Sequence, residues 1–197
     1  LMAQFFFDSH LTPRLAIDSF FVGNSNIHAF NNLIKETNHN NKFFLTGPKK
    51  SGKSHLGLIW KNKYNGLIYN DNMREIINSK KNILIDNIFE NICEENVFHI
   101  INHCNTYNLK ILITSNISIN SYSFKFDDLS SRLKVFTSLS IDLPDDELLV
   151  NLMIKLFHDK QIIIKNPEIF NYIIKRVDRS YEKIFTLINS IDELLLE

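Results

Sequence analysis

Apolar residues follow two patterns along this chain, and the change between them falls near residue 143. Before it, short unbroken apolar runs alternate with stripes of helical spacing; after it only stripes remain. The runs at 43–46, 66–70, 82–86, 110–114 and 135–143 read as buried strands, the last closed by Pro144. A helix capped by Asn24 or Ser25 would place Ile27, Phe30, Leu33 and Ile34 on one face. Further helices are predicted over 54–63, 71–80, 94–107 and 127–133, the third with Val97, Ile100, Ile101 and Cys104 inward. Three more, at 145–159, 167–177 and 180–196, carry stripes such as Leu148, Leu149, Leu152, Met153 and Leu156. Strands alternating with helices and then helices alone predict an α/β base with five parallel strands followed by an all-helical lid. The expected divisions are a tail at 1–12, the base at 13–143 and the lid at 144–197, with no internal repeat and no low-complexity linker.

The candidate chemistry begins at the first strand, where FFLTGPKKSGKSHL satisfies G-x-x-x-x-G-K-[ST] at every fixed position. A diphosphate needs a ring of inward-pointing backbone N–H groups, and glycines relieve the turn that makes one. The loop residues Gly47, Pro48, Lys49, Lys50, Ser51 and Gly52, with Lys53, Ser54 and His55 after them, are the candidate phosphate cradle. Lys53 would neutralise phosphate charge, and Ser54 would offer its hydroxyl to Mg2+. The helix that follows would point its positive end at the anion. The chain has only five glycines, and two of them stand here.

Composition narrows the class without naming a partner. A chain of 197 residues holds one sizeable core or one domain with an appendage, and 44% hydrophobic with 22% charged residues is a globular balance. Lys plus Arg and Asp plus Glu number 22 each, so the formal net charge is zero and nothing in it advertises nucleic acid. Two cysteines, Cys93 and Cys104, make no disulfide framework and point to a reducing compartment. With no run of membrane-spanning length and no secretory leader pattern, a cytoplasmic protein is expected.

Other positions are read against plainer alternatives. Asp86 ends an apolar strand, where a parallel strand beside the P-loop would place a magnesium-water ligand. The next position, where many nucleotide hydrolases carry a second acid, is Asn87; an amide takes no proton, so weak or no intrinsic ATPase is expected. Ser115 and Asn116 end the fourth strand, placed to hold a water near a γ-phosphate. Phe20, Phe21 and Val22, extended ahead of Gly23, are placed to sandwich a base, or to form an ordinary core strand. His99, His103 and Cys104 lie close on one helix without a fourth ligand, which favours an ordinary helix surface over a metal site. The tail residues Gln4, Phe5, Phe6 and Phe7 form either a segment folded onto its own domain or a short motif that docks in a partner's pocket.

Taken together, the blocks FFVGNSNIHAF, GPKKSGKSHL, ILIDNI, ILITSN, LSSRL and RSYEKIFTLINSID resemble, in order, the AAA+ domain of the bacterial replication initiator DnaA, over roughly residues 16–192. The nearer resemblance is to the Hda branch, regulators that inactivate the initiator. The chain ends at Glu197 after the lid, the 69–82 connection is short for the helix pair with which DnaA engages single-stranded DNA, and AQFFFDS is similar to a clamp-docking peptide. The resemblance implies bound ADP, or ATP, with Mg2+ held by Ser54 and Asp86. It also implies Asn116 as sensor I and adenine contacts from Phe21 and Val22. Arg179 would be the lid's sensor II, although an alignment to Hda shifts that position to Glu182. Arg132 would be an arginine finger lent to a neighbouring subunit. The implied partners are DnaA and the sliding clamp, a homodimer is left open, and neither sequence-specific DNA binding nor a membrane is implied. Alternatives are a DnaA-type initiator or helicase loader acting on single-stranded DNA, a small-molecule P-loop kinase, and a scaffold that binds no nucleotide.

Overall fold

The computed structural model describes residues 20–35, 40–70, 72–91 and 93–196. The tail residues Gln4, Phe5, Phe6 and Phe7 lie outside them. Strands β1 (Lys42–Thr46), β2 (Leu67–Ile68), β3 (Ile83–Ile85), β4 (Ile111–Ser115) and β5 (Thr137–Ser140) form one parallel sheet in the order β2-β3-β4-β1-β5. β3 is thus an interior strand, separated from β1 by β4.

Helices cover both faces of the sheet, as parallel strands require. In chain order they are α1 (Ile27–Phe30), α2 (Lys53–Lys63), α3 (Met73–Ser79), α4 (Ile88–Asn91), α5 (Glu94–Thr106), α6 (Asp127–Leu133), α7 (Asp146–Asp159), α8 (Glu168–Ile174) and α9 (Tyr181–Leu196). The two-residue side-chain period of the strands sorts their residues between two cores. Phe44, Ile83, Ile85, Ile111 and Ile113 pack with α3, α5 and α6; Phe43, Leu45, Leu84 and Leu112 pack with α1 and α2. A third cluster, centred on Leu149, Met153, Ile184 and Ile188, holds α7, α8 and α9 together.

Several elements differ from the sequence expectation, each for a local reason. α1 runs for one turn and continues as a π-helical turn, Asn31–Lys35, which leaves Ile27 exposed while Phe30, Leu33 and Ile34 face inward. Neither Asn24 nor Ser25 caps it: Asn24 Nδ2 donates to Asp145 Oδ2, and the Ser25 hydroxyl meets the Tyr181 hydroxyl at 3.0 Å. Phe20, Phe21 and Val22 form no strand. The second strand shrinks to two residues with Ile68 exposed, because β2 is a sheet edge with one neighbour. β5, the other edge, likewise leaves Val135 and Leu143 outside it and exposed. The short helix α4, directly after Asp86 and Asn87, was not expected at all.

His103 also departs from the reading as helix surface. It is only 8% exposed, its ring centroid lies 4.8 Å from that of Tyr107, and its buried Nε2 has no hydrogen-bond partner among the described residues. Burial, with a smaller contribution from the Lys80 charge, lowers its pKa. A lowered folded pKa means the unfolded chain takes up the proton first, so stability is intact above about pH 6.5 and is lost as pH falls below that value. Urea unfolding midpoints should therefore drop between about pH 7.5 and pH 5.5, and His103→Gln should reduce that drop; an equal drop in the variant would clear His103 of the effect.

A candidate nucleotide-binding cleft

The carboxyl ends of the strands bring the polar residues together. Thr46 of β1 is in register with Ser115 of β4 and Ser140 of β5, and β3 pairs Ile85 with Ile113, so Asp86 and Thr114 meet at the same edge. Thr114 Oγ1 donates to Asp86 Oδ1 at 2.5 Å and accepts the Asn87 N–H at 2.8 Å.

The P-loop leaves β1 at Thr46 and turns into α2 through two left-handed residues, Lys50 (φ 63°) and Gly52 (φ 90°). A Cβ at Gly52 would combine that strained φ with a 3.1 Å approach to the Phe20 ring. The turn aims main-chain carbonyls at the first residue of α2: Lys53 Nζ donates to Gly47 O at 2.9 Å and Pro48 O at 2.7 Å. Lys53 is only 6% exposed; burial lowers its pKa, and the charges of Asp86 and Glu90 partly offset that.

Around this turn lies a cleft of two connected lobes that share Lys50, Ser51, Gly52 and Phe185. The larger, about 510 Å³, is lined chiefly by polar and charged residue types: Lys49, Lys53 and Ser54 with Asn87, Glu90, Thr114 and Asn116. The smaller, about 280 Å³, is mainly apolar. Phe20, Phe21 and His55 supply one side of it, and Leu148, Leu152 and Tyr181 from the C-terminal helices the other. Phe20 lies parallel to Phe30, ring centroids 5.8 Å apart, and meets His55 edge-on at 5.5 Å. An apolar slot joined to a cationic cup at the start of a helix suits a base at one end and phosphates at the other. The Ser54 hydroxyl in the cleft is a hard oxygen donor of the kind Mg2+ takes, and the Asp86 carboxylate behind Thr114 is another of that kind.

Most sequence candidates converge on this cleft, with exceptions. Asp86 does not line it directly and reaches it through Thr114. Asn116 does line it, its Nδ2 donating to Asn87 Oδ1 at 3.0 Å and to Glu90 Oε1 at 2.9 Å. Val22 is exposed and lines neither lobe. Arg179 lines neither lobe and instead forms a two-point ion pair with Asp146 at 3.0 Å, both side chains more than half exposed. Arg132 lies outside the cleft, on α6, its guanidinium 4.5 Å from the centre of the Phe98 ring. His99, His103 and Cys104 form no metal centre: among the described residues no three His, Cys, Asp or Glu side chains converge. Sequence reasoning missed Thr114, Glu90, Tyr181 and Phe185. The threonine was legible as the last apolar-run position before Ser115; Tyr181 and Phe185 stand in the RSYEKIFTLINSID block but gave no sign of facing the cleft, and Glu90 carries no pattern of its own.

The strand order, the P-loop at the end of β1 and the helical C-terminal portion define an AAA+ P-loop NTPase fold. Solved structures of replication and recombination proteins share this fold. Domain III of the replication initiation protein DnaA from Thermotoga maritima superposes with a TM-score of 0.74 at 21% identity, covering 93% of this chain and 88% of that one. AMPPCP-bound DnaA from Aquifex aeolicus gives 0.70 at 17% identity, covering 92% and 66%. The Holliday junction branch migration motor RuvB of T. maritima gives 0.62 at 17% identity, covering 89% and 64%. This chain thus spans 66% of the length of the Aquifex chain, and at such identities the likeness is one of fold. No protein-family profile matches the sequence, nor does any curated protein.

If the cleft takes a nucleotide, its turn must tolerate no side chain at Gly52 and need its cation. Gly52→Ala and Lys53→Ala should each weaken fluorescent-ADP binding by about tenfold or more, the scale of a lost charge-assisted contact. Titrations matching wild type would remove the assignment of the cleft.

Proposed function

We propose that this protein is an Hda-like AAA+ regulator of replication initiation, holding ADP with Mg2+ as a fixed part and completing the ATP site of a DnaA molecule in trans. The observation that carries this reading is the placement of Arg132. It sits outside its own cleft, on a helix whose apolar residues Leu129 and Leu133 are buried, and its guanidinium makes no ion pair among the described residues. A guanidinium that does not serve its own phosphate cup is available to another.

Features of the cup itself agree with a bound nucleotide that is held rather than turned over. Asn87 stands where a proton acceptor is wanted, and its side-chain carbonyl is engaged by Asn116. In the partner's site the chemistry is electrostatic: a guanidinium at the γ-phosphate offsets charge developing in the transition state, a contribution on the order of 10³-fold or more. The tail residues Gln4, Phe5, Phe6 and Phe7 would dock the protein on the sliding clamp. A role as a single-stranded-DNA-gripping initiator fits less well. The described part of the 69–82 connection is filled by α3 alone, with no helix pair, and the chain has no net positive charge.

Arg132→Ala should keep ADP affinity and clamp binding yet lose about 10³-fold in stimulated ATP hydrolysis by DnaA; full stimulation by the variant would refute the finger. Gln4→Ala combined with Phe6→Ala should abolish retention on immobilised clamp without altering ADP affinity, and retention of the double variant would show that the tail is not the dock.

A further inference from the structure

The arginine assigned above is held in an unusual way. α5 begins at Glu94, and its carboxylate reaches the segment that enters α6: Oε1 accepts the Lys125 N–H at 3.1 Å, and Oε2 accepts the N–H groups of Lys125 at 3.0 Å and Phe126 at 3.1 Å. Phe126 is the N-cap residue of α6 and brings no capping side chain of its own, so an anion from another helix does that work. One turn along α5, on the same face, stands Phe98, and Arg132 lies over its ring with 4.5 Å from the guanidinium carbon to the ring centre. Phe98 is itself packed against the buried cluster that contains Leu129 and Leu133, so the ring is backed by the same core that seats α6.

We propose that Glu94 and Phe98 form a ledge that pre-orients Arg132 for a phosphate outside this chain. The inference rests on the trans role proposed above and names the residues that make it efficient. A guanidinium can be fixed by a carboxylate or by an aromatic face, with opposite consequences. A carboxylate occupies the in-plane N–H donors, which must then be released before a phosphate can use them. An aromatic ring takes the flat face and leaves all five donors free at the edge. Ring stacking therefore removes rotamer freedom that would otherwise be lost on docking while leaving every hydrogen-bond donor available. Glu94 completes the arrangement by fixing the start of α6, and thereby the height at which Arg132 leaves the helix. Both are positioning residues that act through Arg132.

The test measures stimulated ATP hydrolysis by ATP-loaded DnaA in the presence of clamp, as a function of the concentration of this protein, for wild type, Arg132→Ala, Phe98→Leu, Phe98→Trp and Glu94→Ala. Phe98→Leu should lower the maximal stimulated rate about tenfold while leaving the half-saturating concentration and ADP affinity unchanged. Phe98→Trp should restore most of the rate, because an indole face holds a guanidinium at least as well. Glu94→Ala should lower the same maximal rate. If Arg132→Ala abolishes stimulation while Phe98→Leu keeps the full rate, the ledge is refuted and the finger stands. A raised half-saturating concentration at unchanged maximal rate, or failure of the tryptophan to rescue, likewise refutes pre-orientation in favour of a docking or packing role. If Arg132→Ala stimulates normally, the trans reading itself fails.

Discussion

One buried cation governs the architecture around the cleft. Lys53 is 6% exposed and, among the described residues, forms no ion pair with a carboxylate; its ammonium is solvated by the main-chain carbonyls of Gly47 and Pro48. Those carbonyls turn inward because the loop passes through left-handed conformations at Lys50 and Gly52, and Gly52 has no Cβ to strike Phe20. The same geometry starts α2 at Lys53, and Leu56, Ile59 and Trp60 then anchor that helix in the core formed with β1 and β4. Burial weakens the lysine's hold on its proton while Asp86 and Glu90 strengthen it, so acids on β3 and α4 are electrostatically coupled to a turn at the end of β1. An anion entering the cup joins a site whose charges are already arranged.

The apolar lobe adds a second constraint, because neither half of the molecule makes it alone. Phe20 and His55 face Leu148, Leu152 and Tyr181 across it. The C-terminal helices are moored beside it by the Ser25 to Tyr181 contact, by the Tyr181 hydroxyl donating to Asp142 O, and by Asn24 bonding Asp145, while Leu148 packs against Gly23. Asn24 and Ser25, the expected caps of α1, serve this junction instead. A base bound in the slot would therefore report directly on the angle of α7 and α9, and Phe185, shared by both lobes and lying over Lys50, links that angle to the phosphate end.

Arg132 lies outside this system, and the side chains around it belong to α5 and α6. α4 carries Glu90 into the polar lobe, α5 presents Glu94 and Phe98, and α6 carries the arginine. The division proposed between a nucleotide that is kept and an arginine that is lent thus maps onto consecutive elements rather than distant ones. The order of the sheet makes this workable: β4, between β1 and β3, sets Thr114 and Asn116 where they meet both Asp86 and the α4 residues.

Much of the fold was legible because it is local. Buried parallel strands appear as unbroken apolar runs, the helices as stripes, and the P-loop as a spacing whose reason is backbone conformation; these fixed the α/β class, the five strands and the cup from Gly47 to Ser54. Edges and junctions were not legible: the shortening of β2 and β5, the π-turn after α1 and the use of Asn24 and Ser25 against the C-terminal helices depend on neighbours far along the chain. The site divides the same way. The sequence alone singled out the residues of the turn from Gly47 to Ser54, because they are adjacent and share one backbone conformation. Only the tertiary structure decided that Thr114 bridges to Asp86, that Arg179 is held by Asp146 outside the cleft, and that a phenylalanine on another helix lies under Arg132, because each is a contact between side chains that the sequence keeps at least 28 positions apart.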